Sequence, residues 1–324
     1  MGAAVRMMSP YAGIVEMESR LRLKINDWEL GAELDCACSA ALEAGAIALR
    51  AFTSRDFEVE EKAGGLGPVT TADLEANAAI CEALAHRFPD DAIIAEESVP
   101  AGDEGRRRWF VDPIDGTREF AAGRREFAVM IGLCVDGVPV VGVVTQPATR
   151  AIVIAHAGHG AFSAFVDTHE LASARTRGDS LRGTSVLGSE RNPIDWSAQD
   201  WQQLRVSTVR KPSKATLMRS RSSPSKRVDR LVQLLEIPNQ RSMGSLGLKI
   251  VEIASGRADL YCNFKGKASQ WDIAGPQAIL EAAGGRMTTA RGEPLLYAAR
   301  PTPLSEGVVA SNSLLHDAIL AAVT

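Results

Sequence analysis

The segment Trp109-Phe-Val-Asp-Pro-Ile-Asp-Gly-Thr117 constrains this chain more than any other. Three apolar residues, 109–111, run directly into Asp112, and a second acid, Asp115, follows three residues later. A short apolar run bounded by turn residues reads as a buried strand. Pro113 is expected to end that strand, because proline cannot continue a central one. Gly116 lets the backbone come close to a ligand, and Thr117 can open a helix. Two acids so placed at a strand end can converge on one hard cation. Oxygen ligands suit Mg²⁺, which tolerates few protein carboxylates and keeps waters for exchange. An anionic group such as a phosphate would then lie against the N–H groups of Gly116 and Thr117. The plainer alternative is an Asp-Pro/Asp-Gly turn with Asp115 or Thr117 as a helix N-cap.

Three more clusters combine carboxylates with turn residues: Val69-Thr-Thr-Ala-Asp73, Ile93-Ile-Ala-Glu-Glu-Ser98 and Gln270-Trp-Asp-Ile-Ala-Gly-Pro276. Taken alone, Asp73 and Asp272 read as N-caps and Glu96-Glu97 as a solvated helix start. The chemical reading depends on the four together.

Bulk properties narrow the class. The 324 residues are 45% hydrophobic, enough for a large core, and the formal net charge is −4. That balance argues against a chain built to coat nucleic acid. Arg205 to Arg230 holds nine Lys or Arg and one acid, Asp229. This tract reads as a solvated face or an anion-facing patch, and it lacks the interleaved aromatics that stack bases. The five cysteines include no C-x-x-C pair, and all but Cys36 lie in apolar runs or stripes, so they read as buried thiols of a reducing compartment. The N-terminus lacks a signal-peptide apolar run, Arg6 argues against myristoylation, and no stretch approaches the length of a membrane helix. The expectation is a soluble cytoplasmic protein with no membrane and no nucleic-acid partner.

Periodicity predicts helices over 33–52 and from Asp73, then strands over 92–95, 109–111, 127–135, 138–144 and 151–156, with a hairpin at Asp136-Gly137. After a polar middle the pattern alternates: helices near 228–235 and 246–255, a strand over 258–264, a helix over 273–283, a strand over 308–310 and a helix over 314–323. The expected organisation is an extension over 1–30, an α+β half over 31–170 and a layered α/β half over 171–324.

The four clusters, in this order, resemble the inositol monophosphatase family of metal-dependent phosphatases. That family shows a V-T-x-x-D element, an E-E pair after an apolar strand, W-x-x-D-P-x-D-G-T, and a W-D element before a helix that ends in Gly-Gly, here Glu281-Ala-Ala-Gly-Gly285. The resemblance covers about residues 33–324. It implies a layered αβαβα sandwich of the sugar-phosphatase type. It also implies that Glu96, Asp112, Asp115, Asp272 and the Ile114 carbonyl bind two or three Mg²⁺, with Glu97 acting from behind Glu96. Asp73 and Thr117 would position and deprotonate a water. Li⁺ inhibition and a monomer or homodimer are further implications. None of the five histidines falls in a motif.

Within the family, three segments resemble the 3′(2′),5′-bisphosphate nucleotidase branch: Arg118-Glu-Phe-Ala-Ala-Gly-Arg-Arg-Glu-Phe127, Arg219-Ser-Arg-Ser222 and Gly244-Ser-Leu-Gly-Leu-Lys249. Arg221 and Lys249 could then neutralise a second phosphate, with Gly116, Thr117 and Asp272 also facing substrate. For Lys249 the plainer reading is a salt bridge on a helix surface. Two departures stand out: Ser223 and Pro224 follow where His is common, and Gly275 stands where Ala is more usual. The implied substrate is a small bisphosphorylated nucleotide of the 3′-phosphoadenosine 5′-phosphate type. The alternatives are an inositol or sugar monophosphate, or an inactive phosphate-binding homologue.

Overall fold

The computed structural model describes residues 28–62, 67–98, 105–166, 196–264, 266, 268–297 and 304–323. The extension up to residue 27, most of the Gly-rich loop at 63–68 and the domain boundary expected near 170 lie outside the described residues.

Helix α1 (Gly31–Ser54) and helix α2 (Thr71–Arg87) flank a two-stranded antiparallel ribbon, β1 (Val59–Glu61) with β2 (Pro68–Thr70). A seven-stranded sheet follows, in spatial order β3 to β9: β3 (Ala92–Ala95), β4 (Arg107–Asp115), β5 (Ala128–Val135), β6 (Val138–Gln146), β7 (Ala151–His156), β8 (Gly160–Phe165) and β9 (Gln202–Gln203). Only β3 and β4 pair in parallel. A short helix, α3 (Thr117–Ala121), lies between β4 and β5. The remaining chain builds β10 (Thr216–Ser220), α4 (Lys226–Leu234), β11 (Asn239–Met243), α5 (Leu246–Ala254), β12 (Leu260–Asn263), α6 (Gln270–Ala282), β13 (Arg286–Thr289), β14 (Val308–Ser311) and α7 (His316–Val323). Its five strands are ordered β11-β10-β12-β14-β13.

Alternation along the strands explains the layering, because successive side chains point to opposite faces. On β4, Trp109 and Val111 join the core under α1 and α2, while Phe110 joins the core with α5 and α6. On β12, Tyr261 faces that same inner core, and Leu260 and Cys262 face α4 and α7. The layers are therefore α1/α2, seven-stranded sheet, α5/α6, five-stranded sheet, α4/α7. This is the αβαβα sandwich expected above. Helix α1 is long and apolar enough to pass for a membrane span, but Leu34, Cys38, Leu42 and Ile47 are buried against the sheet and α2, so it is a core helix.

Three boundaries differ from the sequence expectation, each for a local reason. Strand β4 does not stop at Pro113 but runs on to Asp115. Its register with β5 shifts between Asp112 and Asp115, so an extra residue is absorbed as a bulge. Strand β3 ends opposite Val111, which leaves Pro113 no partner on that side to deprive of a donor. The N-caps of α2 and α6 are Thr70 and Ser269, not Asp73 and Asp272. Each acid sits at the third helical position, where its carboxylate accepts the cap residue's N–H, at 2.8 Å and 2.7 Å.

Glycine sets how closely α6 approaches the seven-stranded sheet. Gly132 and Gly142 are paired across β5 and β6. A Cβ on Gly132 would lie 2.4 Å from the Gly275 nitrogen, and one on Gly142 would lie 2.3 Å from the Gly275 carbonyl oxygen. The glycine at 275, unusual by the family pattern, lets helix backbone rest directly on strand backbone. Because backbone cannot swing aside, Gly142→Ala is expected to cost at least about 1–3 kcal/mol, read as a lowered melting temperature.

His316 is buried, and both ring nitrogens are engaged: Nε2 with the Thr288 hydroxyl and Nδ1 with the Ser311 hydroxyl, each at 2.9 Å. The Thr288 hydroxyl donates to the Thr289 carbonyl, so it accepts from Nε2–H and the neutral ring is fully satisfied. Burial, aided by Arg286, pushes the His316 pKa down to about 4. An unfolded histidine titrates near ~6.5. The unfolded state therefore takes up the proton first, and stability falls as pH drops from about 6.5 to 4. In urea titrations, His316→Asn is expected to lose less stability than the parent between pH 7 and pH 5. An equal loss would assign the acid sensitivity elsewhere.

Candidate active site

The site forms where the bulged end of β4 meets the first turns of α2, α5 and α6. Asp112, Asp115 and Ile114 come from β4, Asp73 from α2, Asp272 from α6, and Glu96 from the residue after β3. The strand position is fixed from behind. The Trp109 indole N–H donates to Asp91 at 2.9 Å, and Arg107 grips Asp91 with two bonds while reaching Glu33 of α1 at 2.8 Å. Gly116 then turns the chain with φ +95°, and a Cβ there would press on the Glu126 carbonyl at 2.9 Å.

Burial places these acids under electrostatic stress. Asp112 is held well above the ordinary carboxylate range by burial first, then by Glu96, Asp115 and Asp272. Asp272 is pushed up to about 8 by burial, Glu96 and Asp115. Asp115 is also raised by burial, less so because Lys249, the Ser245 hydroxyl and the Gly247 N–H oppose the shift. Ser245 Oγ donates to Asp115 Oδ2 at 2.5 Å and Gly247 N at 2.7 Å. Asp112 Oδ1 is buried without any hydrogen-bond partner. A buried carboxylate oxygen with no donor, among like charges, is the environment that a cation completes. Among the described residues no three acids already stand closed around one point. The fit to a cation therefore rests on this shared burial and on an all-oxygen donor set suited to Mg²⁺.

Asp73 and Thr117 form a second unit. The Thr117 hydroxyl lies 3.1 Å from both Asp73 Oδ1 and the Ile114 carbonyl, and its single proton serves one acceptor at a time. Asp73 Oδ2 accepts both the main-chain N–H and the hydroxyl of Thr70. Burial lifts the Asp73 carboxyl to about 6 against those donors.

Three groups differ from the sequence picture. Lys249 is not on a helix surface but fully buried. Its ammonium donates to the carbonyls of Met243, Gly244 and Ser245, at 3.4, 2.8 and 2.7 Å, which occupies its three N–H groups. Burial pushes its pKa down to about 8, and Asp115, Glu119, Glu126 and Asp272 resist that shift. Arg221 is partly exposed and pairs with Glu126. Lys62, which no motif singled out, bridges Glu96 and Glu97 at 2.6 and 2.5 Å. Burial lifts Glu97 to about 7, with Glu96 adding to the rise. Ser245 was visible only as part of the Gly244–Lys249 motif, and nothing in its local sequence pointed to Asp115. A small cleft beside this region, at the ends of β10 and β12, is lined by Arg219, Ser223, Ser225, Tyr261, Asn263 and Phe264, among others.

Comparison with known proteins matches residues 32–324 to the inositol monophosphatase family. The chain belongs to that family. The 3′(2′),5′-bisphosphate nucleotidase CysQ of Escherichia coli K12 is 30% identical over 278 residues, 85% of this chain and 97% of that protein. The histidinol-phosphatase of Mycobacterium tuberculosis is 30% identical over 274 residues, 83% and 89% of the two chains. The solved inositol monophosphatase of Anabaena (Nostoc) sp. PCC 7120 is 27% identical, with a TM-score of 0.65 over 91% of this chain and 96% of that one. The family and these relatives are phosphatases of phosphate monoesters, and family members are generally metal-dependent.

Lys249 is the buried positive charge among these acids, so its loss should be felt in stability. Lys249→Met is expected to destabilise the metal-free protein by about 3–5 kcal/mol in urea unfolding. A cost under about 1 kcal/mol, that of an exposed pair, would show that its charge is not needed.

Proposed function

We propose that the protein is a Mg²⁺-dependent phosphomonoesterase that removes the 3′(2′)-phosphate from a small bisphosphorylated nucleotide. The observation that carries the reaction is the convergence of buried Asp112 with half-buried Asp115, Asp272 and Glu96 beside the Asp73–Thr117 pair. Glu96, Asp112, Asp115, Asp272 and the Ile114 carbonyl would hold two or three Mg²⁺. When bound, the metal supplies positive charge to the phosphate oxygens and lowers the pKa of a water.

The chain's own residues do the rest. The main-chain N–H groups of Gly116 and Thr117 receive a phosphate oxygen. The Thr117 hydroxyl, donating to Asp73, presents its oxygen lone pairs to the attacking water and orients it in line with phosphorus. Asp73, with a carboxyl lifted to about 6, accepts the proton that passes along this pair. Ser245 and the Gly247 N–H hold Asp115 in one rotamer. No covalent intermediate is required. The nucleotide reading is supported by the likeness to CysQ across 85% of the chain and by the three branch-like segments. We place the enzyme in a reducing, aqueous compartment, the cytoplasm, in keeping with its unpaired cysteines.

Purified protein is expected to release phosphate from 3′-phosphoadenosine 5′-phosphate in Mg²⁺, to stop in EDTA and to be inhibited by Li⁺. Changing a residue behind a metal ligand typically costs about 10–100-fold, so Asp112→Asn, which alters a ligand itself, should cost at least about a hundredfold. Full activity in EDTA would overturn the mechanism. Faster turnover of inositol 1-phosphate or histidinol phosphate would overturn the nucleotide assignment alone.

A further inference from the structure

The three branch-like segments are far apart in the sequence, yet they meet at one side chain, Glu126. Its carboxylate accepts Arg221 in a fork, Nη2 to Oε1 at 2.5 Å and Nε to Oε2 at 3.1 Å. Oε2 also accepts the main-chain N–H of Gly244 at 2.9 Å, and the Glu126 carbonyl accepts Ser245 N at 3.3 Å. That carbonyl is also the atom against which Gly116 closes. Arg221 is anchored a second time by the Ser242 carbonyl, at 3.2 Å. Lys249 holds the Gly244 and Ser245 carbonyls from the other side. The Gly244–Ser245 turn is thus gripped by Glu126 through its N–H groups and by Lys249 through its C=O groups. The same turn supplies the Ser245 hydroxyl to Asp115.

A guanidinium has two usable edges. Glu126 and Ser242 take the Nε/Nη2 edge of Arg221. The Nη1 edge has no protein partner among the described residues, and the side chain is 40% exposed. Lys249 has no donor to spare, whereas Arg221, held beside the same turn, keeps donors free for a ligand. We propose that Glu126 is a specificity-determining positioning residue. It fixes Arg221 so that its free edge receives the second anionic group of a bisphosphorylated substrate. This rests on the nucleotide reading above. An ordinary exposed ion pair would not also hold the Gly244 N–H, and its removal would not discriminate between substrates.

The test compares 3′-phosphoadenosine 5′-phosphate with adenosine 3′-monophosphate, which lacks the second phosphate, on the Mg²⁺-loaded enzyme. Glu126→Gln keeps the size, an amide oxygen for the Gly244 N–H and the main-chain bond to Ser245, so the turn behind Asp115 is held, but it breaks the charged fork to Arg221. It is expected to raise KM for the bisphosphate about tenfold, the loss of one charge-assisted contact, with kcat within about twofold. Both constants for the monophosphate should stay within about twofold. Arg221→Ala should show the same selective rise, and the double variant no more than Arg221→Ala alone. Equal losses on both substrates, or no change on either, would overturn the positioning role while leaving the nucleotide reading intact. A parent enzyme without preference for the bisphosphate would overturn both. If Glu126→Gln does not fold, Arg221→Lys breaks the same fork from its exposed end. It should give the selective KM rise, and its absence would equally overturn the proposal.

Discussion

The structure depends on gathering several carboxylates in a place where water screens them poorly. Asp112 is buried, half-buried Asp115 and Asp272 crowd it, Glu96 adds to their mutual repulsion, and Asp112 leaves an oxygen without a donor. Desolvated like charge is among the least favourable things a folded chain can contain. Much of the local architecture can be understood as containing it. Capping boxes give Asp73 and Asp272 each a main-chain donor. The Ser245 hydroxyl and the Gly247 N–H both donate to Asp115. Lys249 supplies a buried ammonium at the cost of a lowered pKa. What these devices leave over is a demand for cations, and that demand is the physical basis of the proposed chemistry.

Bringing the acids together is a packing problem before it is an electrostatic one. Asp112 and Asp115 ride on β4, and Asp272 rides on a helix contributed by the other half of the chain. The Gly132–Gly142–Gly275 seam has no Cβ at the points of closest approach, so α6 lies at backbone contact with the sheet there. A helix held farther away would carry Asp272 out of reach of Asp112. The bulge after Asp112 complements this by re-aiming the strand end without ending its pairing. Fold stability and site geometry are therefore coupled at the same few residues.

The order of helices and strands was legible because period-2 and period-3.6 patterns survive wherever one face of an element is buried, and the αβαβα layering followed from the family resemblance. Strand 151–156 and the Asp136-Gly137 hairpin were readable for that reason. The edge strands β9, β11 and β13 were not, since Gln202-Gln203 and Asn239-Gln-Arg-Ser-Met243 carry little apolar signal. The acids of the site were identifiable as turn-flanked carboxylates, and their pattern identified the family. Their partners were not. Lys62 reaching Glu96, Ser245 reaching Asp115 and Glu126 reaching Gly244 are contacts between distant segments, and nothing in the local spacing encodes them. Lys249 was expected to face a second substrate phosphate, with a surface salt bridge as the plainer reading; a single lysine on a short apolar helix gives no hint that the preceding turn folds back over it and takes its donors.

The most direct test of this account is the stability of the parent protein and of Asp112→Asn, each unfolded in urea with EDTA and with saturating Mg²⁺. Asparagine is always neutral and keeps a donor toward Asp272, so it avoids the cost of holding a carboxyl whose ionisation burial and its neighbours oppose. If the carboxylate cluster is self-repelling until cations enter, Asp112→Asn should be the more stable protein in EDTA and the less stable one in Mg²⁺. If Asp112→Asn is destabilised equally in both conditions, Asp112 is an ordinary structural carboxylate, and the claim that this site is built for metal fails.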